Sequence, residues 1–267
     1  MKIGIVGCAG RMGQMLLKTI LATDGAEIGG GSEHGRSEYL DKDLSVLMGA
    51  SEPLGLKITA DARALFEACD VVIDFTVPMA TVNHAGLAAE TGTALVIGTT
   101  GMDKEQIAVV DAAAQKTVIM RAGNMSVGIN LLMGLVEQIS GILDNSFDIE
   151  IVEMHHHHKV DAPSGTALML GEAAASGRGV DLDSVSDRGR DGITGARTAG
   201  DIGFASLRGG DVVGEHTVIF AGEGERIEIT HKAASRALFA NGAVRAAQWC
   251  VDQPPGHYDM KDVLGLK

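Results

Sequence analysis

The stretch EMHHHHKVDAPSGTA, residues 153–167 of a 267-residue chain, concentrates side chains that hold protons and bind anions. His155, His156, His157 and His158 run directly into Lys159, and Pro163, Ser164, Gly165 and Thr166 follow. Imidazole titrates near neutral pH and passes protons, whereas a lysine ammonium is charged there unless buried. Ser164 to Thr166 open an Ala/Leu-rich stretch, TALMLGEAAAS, whose pattern predicts a helix, and the free N–H groups at a helix start bind carboxylates. A cation, a proton donor and an anion nest therefore lie within residues 155–166, which points to an enzyme acting on a small, anionic, reducible substrate. The histidines admit other readings. A purification tag sits at a terminus, and this run is internal. Neighbours on an extended chain point in alternate directions, so at most two of the four could share a metal, and nothing in the spacing of His84, His216, His231 or the carboxylates completes a ligand set. A polar strand end with exposed histidines stays open at this point.

FDIEIVEM (147–154) predicts a strand leading straight into the histidines, and VGINLLMGLVEQISGIL (127–143) before it has helical periodicity. IGFASLR (202–208), DVVGEHTVIFAG (211–222) and ERIEITHK (225–232) predict further strands joined by short Gly- or Asp-containing turns, so this half is dominated by sheet. Residues 177–201 lack an apolar period and are read as a long loop with a functional or interfacial role.

The first half reads differently. KIGIV (2–6), then Gly7, Gly10 and Gly13, then QMLLKTILATDG predict strand, tight turn and helix, a unit that brings bare backbone N–H groups against a pyrophosphate. The pattern is G-x-x-G-x-x-G, with Cys8 standing where the common G-x-G-x-x-G dinucleotide fingerprint has its first glycine, so the match is a variant. AEIGGG (26–31) predicts a second strand just before Glu33, placed where an acid would bond a ribose hydroxyl. DVVIDFT (70–76), ALVIGTT (94–100) and TVIMRAG (117–123) are continuous apolar runs separated by amphipathic stretches near 79–91 and 103–115, as in a parallel sheet buried on both faces. Ligands of such sheets lie beyond the carboxyl ends of the strands. Thr76 to Pro78, Gly98, Thr99, Thr100 and Gly101, and Ala122, Gly123, Asn124 and Met125 are thus expected along a cofactor edge.

A net charge of −13 and an aromatic content of 3% argue against a nucleic-acid partner. No apolar run approaches the ~18 residues of a membrane span, and the N-terminus lacks the pattern of a signal peptide, so the expectation is a cytoplasmic protein without a membrane partner. Cys8, Cys69 and Cys250, three and scattered, form no disulfide framework.

GCAGRMG, IDFT, VIGTTG, GNMSVG, HHHHKVDAPSGTA, GFASLRGGDVVGEHTVIF and ITHKAASRALFANGAVRAA together resemble the bacterial 4-hydroxy-tetrahydrodipicolinate reductase (dihydrodipicolinate reductase) family over nearly the whole length. The resemblance implies an α/β protein: a Rossmann-like parallel-sheet domain over 1–125 and 235–267, rejoined by a C-terminal helix, and an α+β substrate and tetramerisation domain over 126–234. It implies NADH or NADPH as cofactor, no metal, a small dicarboxylate substrate, and a homotetramer built through the substrate-domain sheets. Carried over by position, the proton donor falls on His155 and the catalytic cation on Lys159. Substrate binding falls on His156, Lys159, Ser164, Gly165 and Thr166. Cofactor binding falls on Gly7, Cys8, Ala9, Gly10, Arg11, Met12, Glu33, Gly98, Thr99, Thr100, Ala122, Gly123, Asn124 and Met125. His34 stands where some members have an arginine that meets the NADP 2′-phosphate. Arg11 or Arg36 is the alternative cation, and NADH is expected to serve at least as well as NADPH. His157 replaces an arginine of some members.

Overall fold

A computed structural model describes residues 1–266. They form two compact units, 1–126 with 237–265, and 127–236 with Leu266. The chain begins with β1 (Lys2–Val6), α1 (Arg11–Leu21), β2 (Glu27–Ser32), α2 (Ala62–Ala68), β3 (Val71–Asp74), α3 (Pro78–Thr91), β4 (Ala94–Ile97), α4 (Lys104–Ala113) and β5 (Val118–Arg121). The second unit contains α5 (Val127–Ile142), β6 (Asp148–His155), α6 (Gly165–Arg178), α7 (Leu182–Val185), β7 (Ser186–Asp187), β8 (Ile202–Arg208), β9 (Gly214–Gly222) and β10 (Glu225–Ala233). The chain then rejoins the first unit with α8 (Ala237–Cys250), β11 (Gly256–Tyr258) and α9 (Met260–Leu264).

The first unit is a six-stranded, all-parallel sheet in the order β2-β1-β3-β4-β5-β11. Its central strands VVID and ALVI are buried at every residue, because helices take up both faces. Val72, Leu95 and Ile119 pack with Phe66 of α2, Ala88 of α3 and Val110 of α4. Alternation turns Ile5, Ile73 and Val96 to the opposite face, where α1 and α8 pair and α8 meets β3 and β4. Strand order reverses at β1, which opens a crevice beyond the carboxyl ends of β1 and β3. α1 can close onto the turn that follows β1 only because residue 13 is glycine. A Cβ there would lie 2.4 Å from the Cys8 carbonyl oxygen and 2.5 Å from that of Gly7.

The second unit is a mixed five-stranded sheet in the order β10-β9-β6-β8-β7, antiparallel at β10/β9 and β9/β6 and parallel at β6/β8 and β8/β7. Leu132 and Val136 of α5 and Leu170 and Ala174 of α6 pack on Ile149, Ile151, Val218 and Phe220. The period of two along β6 sends Glu153 to that same covered face, leaving it 1% exposed. The expectation of an unbroken loop over 177–201 is corrected. α6 ends at Arg178, and α7 and β7 occupy 182–187. Only the later part is irregular, and Arg197 anchors it by donating from Nη1 to Asp148 (2.8 Å) and from Nε to Glu150 (2.8 Å). Elements of four and two residues are too short to leave a period. Among the described residues no helix is long and apolar enough to cross a membrane.

Candidate active site

β6 carries its last residues into the site in a fixed register. Glu153 lies opposite His216 of β9 and Ser206 of β8, and His155 lies opposite Arg208 of β8. Two positions apart on one strand, Glu153 and His155 share a face. Nδ1 of His155 lies 2.6 Å from Glu153 Oε2, with the imidazole only 12% exposed. Arg208 closes on the same carboxylate in a fork, Nη1 to Oε2 at 2.8 Å and Nη2 to Oε1 at 2.9 Å. The Ser164 backbone N–H adds a third donor, 3.2 Å from Oε1. Burial works to raise the Glu153 carboxyl, but the bonds from Arg208 and His155 outweigh it and hold it at about 2. An ionised carboxylate only accepts, so Nδ1 of His155 carries the proton of that bond and Nε2 is the nitrogen left to exchange one.

Ser164 is the N-cap of α6, its Oγ accepting from the Ala167 N–H at 3.1 Å. The hydroxyl also meets His216 Nε2 at 2.9 Å. His216 is 4% exposed, and burial, with His155 nearby, pushes its imidazole down to about 4, so it is neutral at pH 7. Ser164 thus has its hydroxyl fixed from both sides while Gly165 and Thr166 present the first turn of the helix. A Cβ at Gly165 would meet nothing within 4 Å, so the approach to this helix start is open. Ser164→Ala is expected to lose about 1–2 kcal/mol of stability, through the lost cap and the orphaned His216 nitrogen. A lower midpoint in urea unfolding, with a higher KM for a dicarboxylate substrate, checks this.

Lys159 Nζ lies 2.8 and 2.9 Å from the two carboxylate oxygens of Asp161 and is partly buried, while Asp161 is exposed. Asp161 therefore occupies the position of an anion that Lys159 can exchange for another. The remaining histidines separate by position. His156 is half-buried, its N–H donates to the Val212 carbonyl (2.7 Å), and its Nδ1 is buried without a partner. Burial, together with Arg236 and the neighbouring cations, lowers its imidazole below the ordinary value. His157 and His158 are exposed, so the run has two inward members and two outward ones. No group of three or more His, Cys, Asp or Glu among the described residues could hold a metal ion.

The first unit forms its own site at the crevice. A cavity of about 400 Å³ is lined by Val6, Gly7, Ser32, Glu33, His34, Thr76, Val77 and His84, among others. Gly7 has a φ of +67°, and its N–H and that of Cys8 both donate to the Ser32 carbonyl. The Ala9 N–H donates to Glu33 Oε1 at 2.9 Å, placing the acid against the glycine turn. Arg11 is exposed at the first position of α1 and Met12 is half-buried behind it. His34 is exposed, its Nδ1 accepting from the Arg36 N–H. Gly98 follows β4, donates to the Asp74 carbonyl (2.8 Å) and lies so close to Phe75 that a Cβ would sit 2.2 Å from the ring. Thr99 is buried and Thr100 exposed. After β5, Ala122, Gly123 and Asn124 reach the surface, Asn124 Oδ1 accepts from the Ser126 N–H, and Met125 is buried against Gly242 of α8. A turn of glycines and small side chains, a helix start with no side-chain cap and an acid at the end of β2 fit a dinucleotide.

Reading the residues for chemistry alone left out Glu153, Arg208 and His216. Glu153 was legible as a lone acid at an inward position of FDIEIVEM, two residues before His155. Arg208 and His216 come from strands 50 or more residues away and carry no local signal.

Residues 1–125 match the family model "Dihydrodipicolinate reductase, N-terminus", and residues 128–264 match "Dihydrodipicolinate reductase, C-terminus". A 4-hydroxy-tetrahydrodipicolinate reductase of Ruegeria sp. (strain TM1040) is 58% identical over 99% of this chain and 98% of its own. That of Parvibaculum lavamentivorans is 56% identical over 100% and 98%. Among solved structures, dipicolinate-bound dihydrodipicolinate reductase from Paenisporosarcina sp. TG-14 superposes with a TM-score of 0.76 at 26% identity, covering 97% of each chain. Matches to both halves and more than half of the residues identical over the full length leave one assignment: the chain belongs to the dihydrodipicolinate reductase family.

Proposed function

We propose that this protein reduces 4-hydroxy-tetrahydrodipicolinate, with loss of water, to tetrahydrodipicolinate, the reductase step of lysine and diaminopimelate biosynthesis, using a nicotinamide nucleotide. The observation that carries the proposal is the grouping in the second unit of Lys159, the His155–Glu153 pair and the open start of α6, on a chain whose relatives bear that reductase name. When bound, the nicotinamide supplies a hydride to the conjugated imine that remains after the 4-hydroxyl leaves as water.

The chain's own residues do the rest. Lys159 exchanges Asp161 for a substrate carboxylate, and the Ser164, Gly165 and Thr166 end of α6 holds that carboxylate through backbone N–H groups. His156, with a buried unpartnered nitrogen and a lowered pKa, meets the substrate as a neutral hydrogen-bonding group. Reduction leaves electron density that takes up a proton. His155 gives it from Nε2 while Nδ1 stays on Glu153. Gly7 to Met12, Glu33, His34, Gly98 to Thr100 and Ala122 to Met125 hold the nucleotide, and no metal takes part.

The second unit is also where subunits would join, as a homotetramer. The sheet face opposite α5 and α6 carries Val152, Met154, Thr217 and Ile219 by alternation, and Leu207 on that face is 50% exposed. Oligomeric state follows from light scattering on the purified chain.

NADH is expected to be used at least as well as NADPH. A 2′-phosphate would sit beside the Glu33 carboxylate, and the residue that follows is His34 rather than an arginine. Absorbance at 340 nm, followed in parallel with the two nucleotides and substrate freshly made from pyruvate and aspartate semialdehyde by the preceding synthase, tests both points. Oxidation with neither nucleotide would remove the proposed reaction. A strong preference for NADPH would remove the assignment made to His34.

A further inference from the structure

The mechanism leaves one buried acid unused. Asp74 ends β3 and is 0% exposed. Oδ1 accepts from the Thr76 N–H (2.8 Å) and hydroxyl (2.6 Å), and Thr99 Oγ1, itself bonded to Thr81, lies 3.3 Å away. Oδ2 lies 2.8 Å from Nδ1 of His84 on α3. Burial opposes the charge of Asp74, but the bonds from His84 and Thr76 hold its carboxyl below the usual range. As an ionised acceptor it requires Nδ1 of His84 to be the donor, and Nε2 is the ring nitrogen that Asp74 leaves for another partner. His84 is 14% exposed and lines the same 400 Å³ cavity as Gly7, Glu33 and Thr76.

We infer that His84, oriented by Asp74, is a nucleotide-contacting residue whose Nε2 accepts a hydrogen bond from a ribose hydroxyl of the bound dinucleotide. This rests on the nicotinamide-nucleotide reading of the first unit. In the same frame Asp74 is a positioning residue, tying together the chain after β3 (Thr76), the chain after β4 (Thr99) and the His84 ring. A buried charge surrounded by four polar groups at the carboxyl end of a central strand costs free energy that packing alone does not require. In an open parallel sheet the crevice beyond the carboxyl ends of the strands is where a ligand lies, and that is where this cost is placed.

Two substitutions separate contact from scaffolding. In His84→Asn the amide N–H can replace Nδ1 toward Asp74, but nothing reaches the Nε2 position. In His84→Gln the longer side chain brings an amide oxygen to the Nε2 position. Kd values from NADH fluorescence titration of the full chain, with thermal melts to establish folding, provide the readout, alongside KM values for each substrate. The expected result is about fivefold weaker NADH binding for His84→Asn and a value within about twofold of wild type for His84→Gln, with the dicarboxylate KM unchanged in both. Wild-type affinity in His84→Asn, or an equal loss in both variants, would overturn the contact and leave His84 as a partner for Asp74 only. A wild-type protein that binds neither NADH nor NADPH would instead defeat the nucleotide reading on which the inference stands.

Discussion

Lys159→Ala is expected to lower kcat/KM about 10³-fold and to leave the NADH Kd within about twofold of wild type. Lys159 directs a partly buried ammonium at a carboxylate, with two contacts below 3 Å to Asp161. Removing one partner of a charge pair of this kind costs about 4 kcal/mol, and 1.4 kcal/mol is tenfold in an equilibrium. The loss should appear in kcat as well as KM, because a carboxylate held at only one end leaves the imine misplaced for the hydride. The nucleotide cavity is lined by residues of the first unit, whereas Lys159 belongs to the second, so nucleotide affinity should hold. Initial rates over both substrates, with a separate NADH titration, distinguish the cases. Parallel loss of turnover and nucleotide binding would show that Lys159 supports the fold rather than the substrate.

The parts of this molecule that were legible in sequence are those in which local chemistry and long-range structure coincide. The runs VVID and ALVI announce central parallel strands, since only burial on both faces tolerates continuous apolar sequence. The glycine turn from Gly7 to Gly13 announces the close approach of α1, and the Cβ clashes at residue 13 show why. β11 was not legible: three residues, GHY, contain no period, and the strand exists because β5 offers it an edge. Within the site, His155, Lys159 and Ser164 share one short segment and were visible together. Arg208 and His216 were not, because β-sheet register brings them in, and register is a property of three strands at once. Asp74 shows the same limit in the first unit. IDFT reads as a strand end, but its pairing with His84, ten residues on, needs α3 to turn that face toward β3.

Glu153→Gln is expected to lower kcat about 100-fold and to change the acid stability of the protein. The carboxylate accepts from His155, Arg208 and the Ser164 backbone at once, so it fixes both His155, the proposed proton donor, and the start of α6. A glutamine supplies one acceptor oxygen and an NH₂ that meets donors either way, His155 and Arg208 Nη1 at the Oε2 position or Arg208 Nη2 and the Ser164 N–H at the Oε1 position. Turned toward His155, the amide forces Nδ1 to accept and moves the ring proton to Nε2 in the neutral tautomer. His155 is then no longer held in the tautomer and orientation that the carboxylate sets, and general acid catalysis contributes about 10²–10⁴-fold where it operates. In either orientation the amide opposes one arm of the Arg208 fork, and the fold loses about 2 kcal/mol or more. The pH dependence identifies the carboxylate as the cause. Glu153 has a folded pKa of about 2 against an ordinary value of 4.5, so its contribution to stability is present above 4.5 and is lost as pH falls toward 2. His216, lowered from 6.5 to about 4, binds its proton more readily when unfolded, so its contribution is present above 6.5 and is lost as pH falls from 6.5 to 4. Melting temperature measured from pH 7 to pH 2 should therefore fall in two stages in the wild type, and Glu153→Gln should keep the upper stage and make the lower one shallower, Asp74 and other carboxylates still contributing to it. An unchanged lower stage together with full kcat would mean that the hydrogen bonds from Arg208 and His155 to Glu153 neither order the proton donor nor stabilise the sheet.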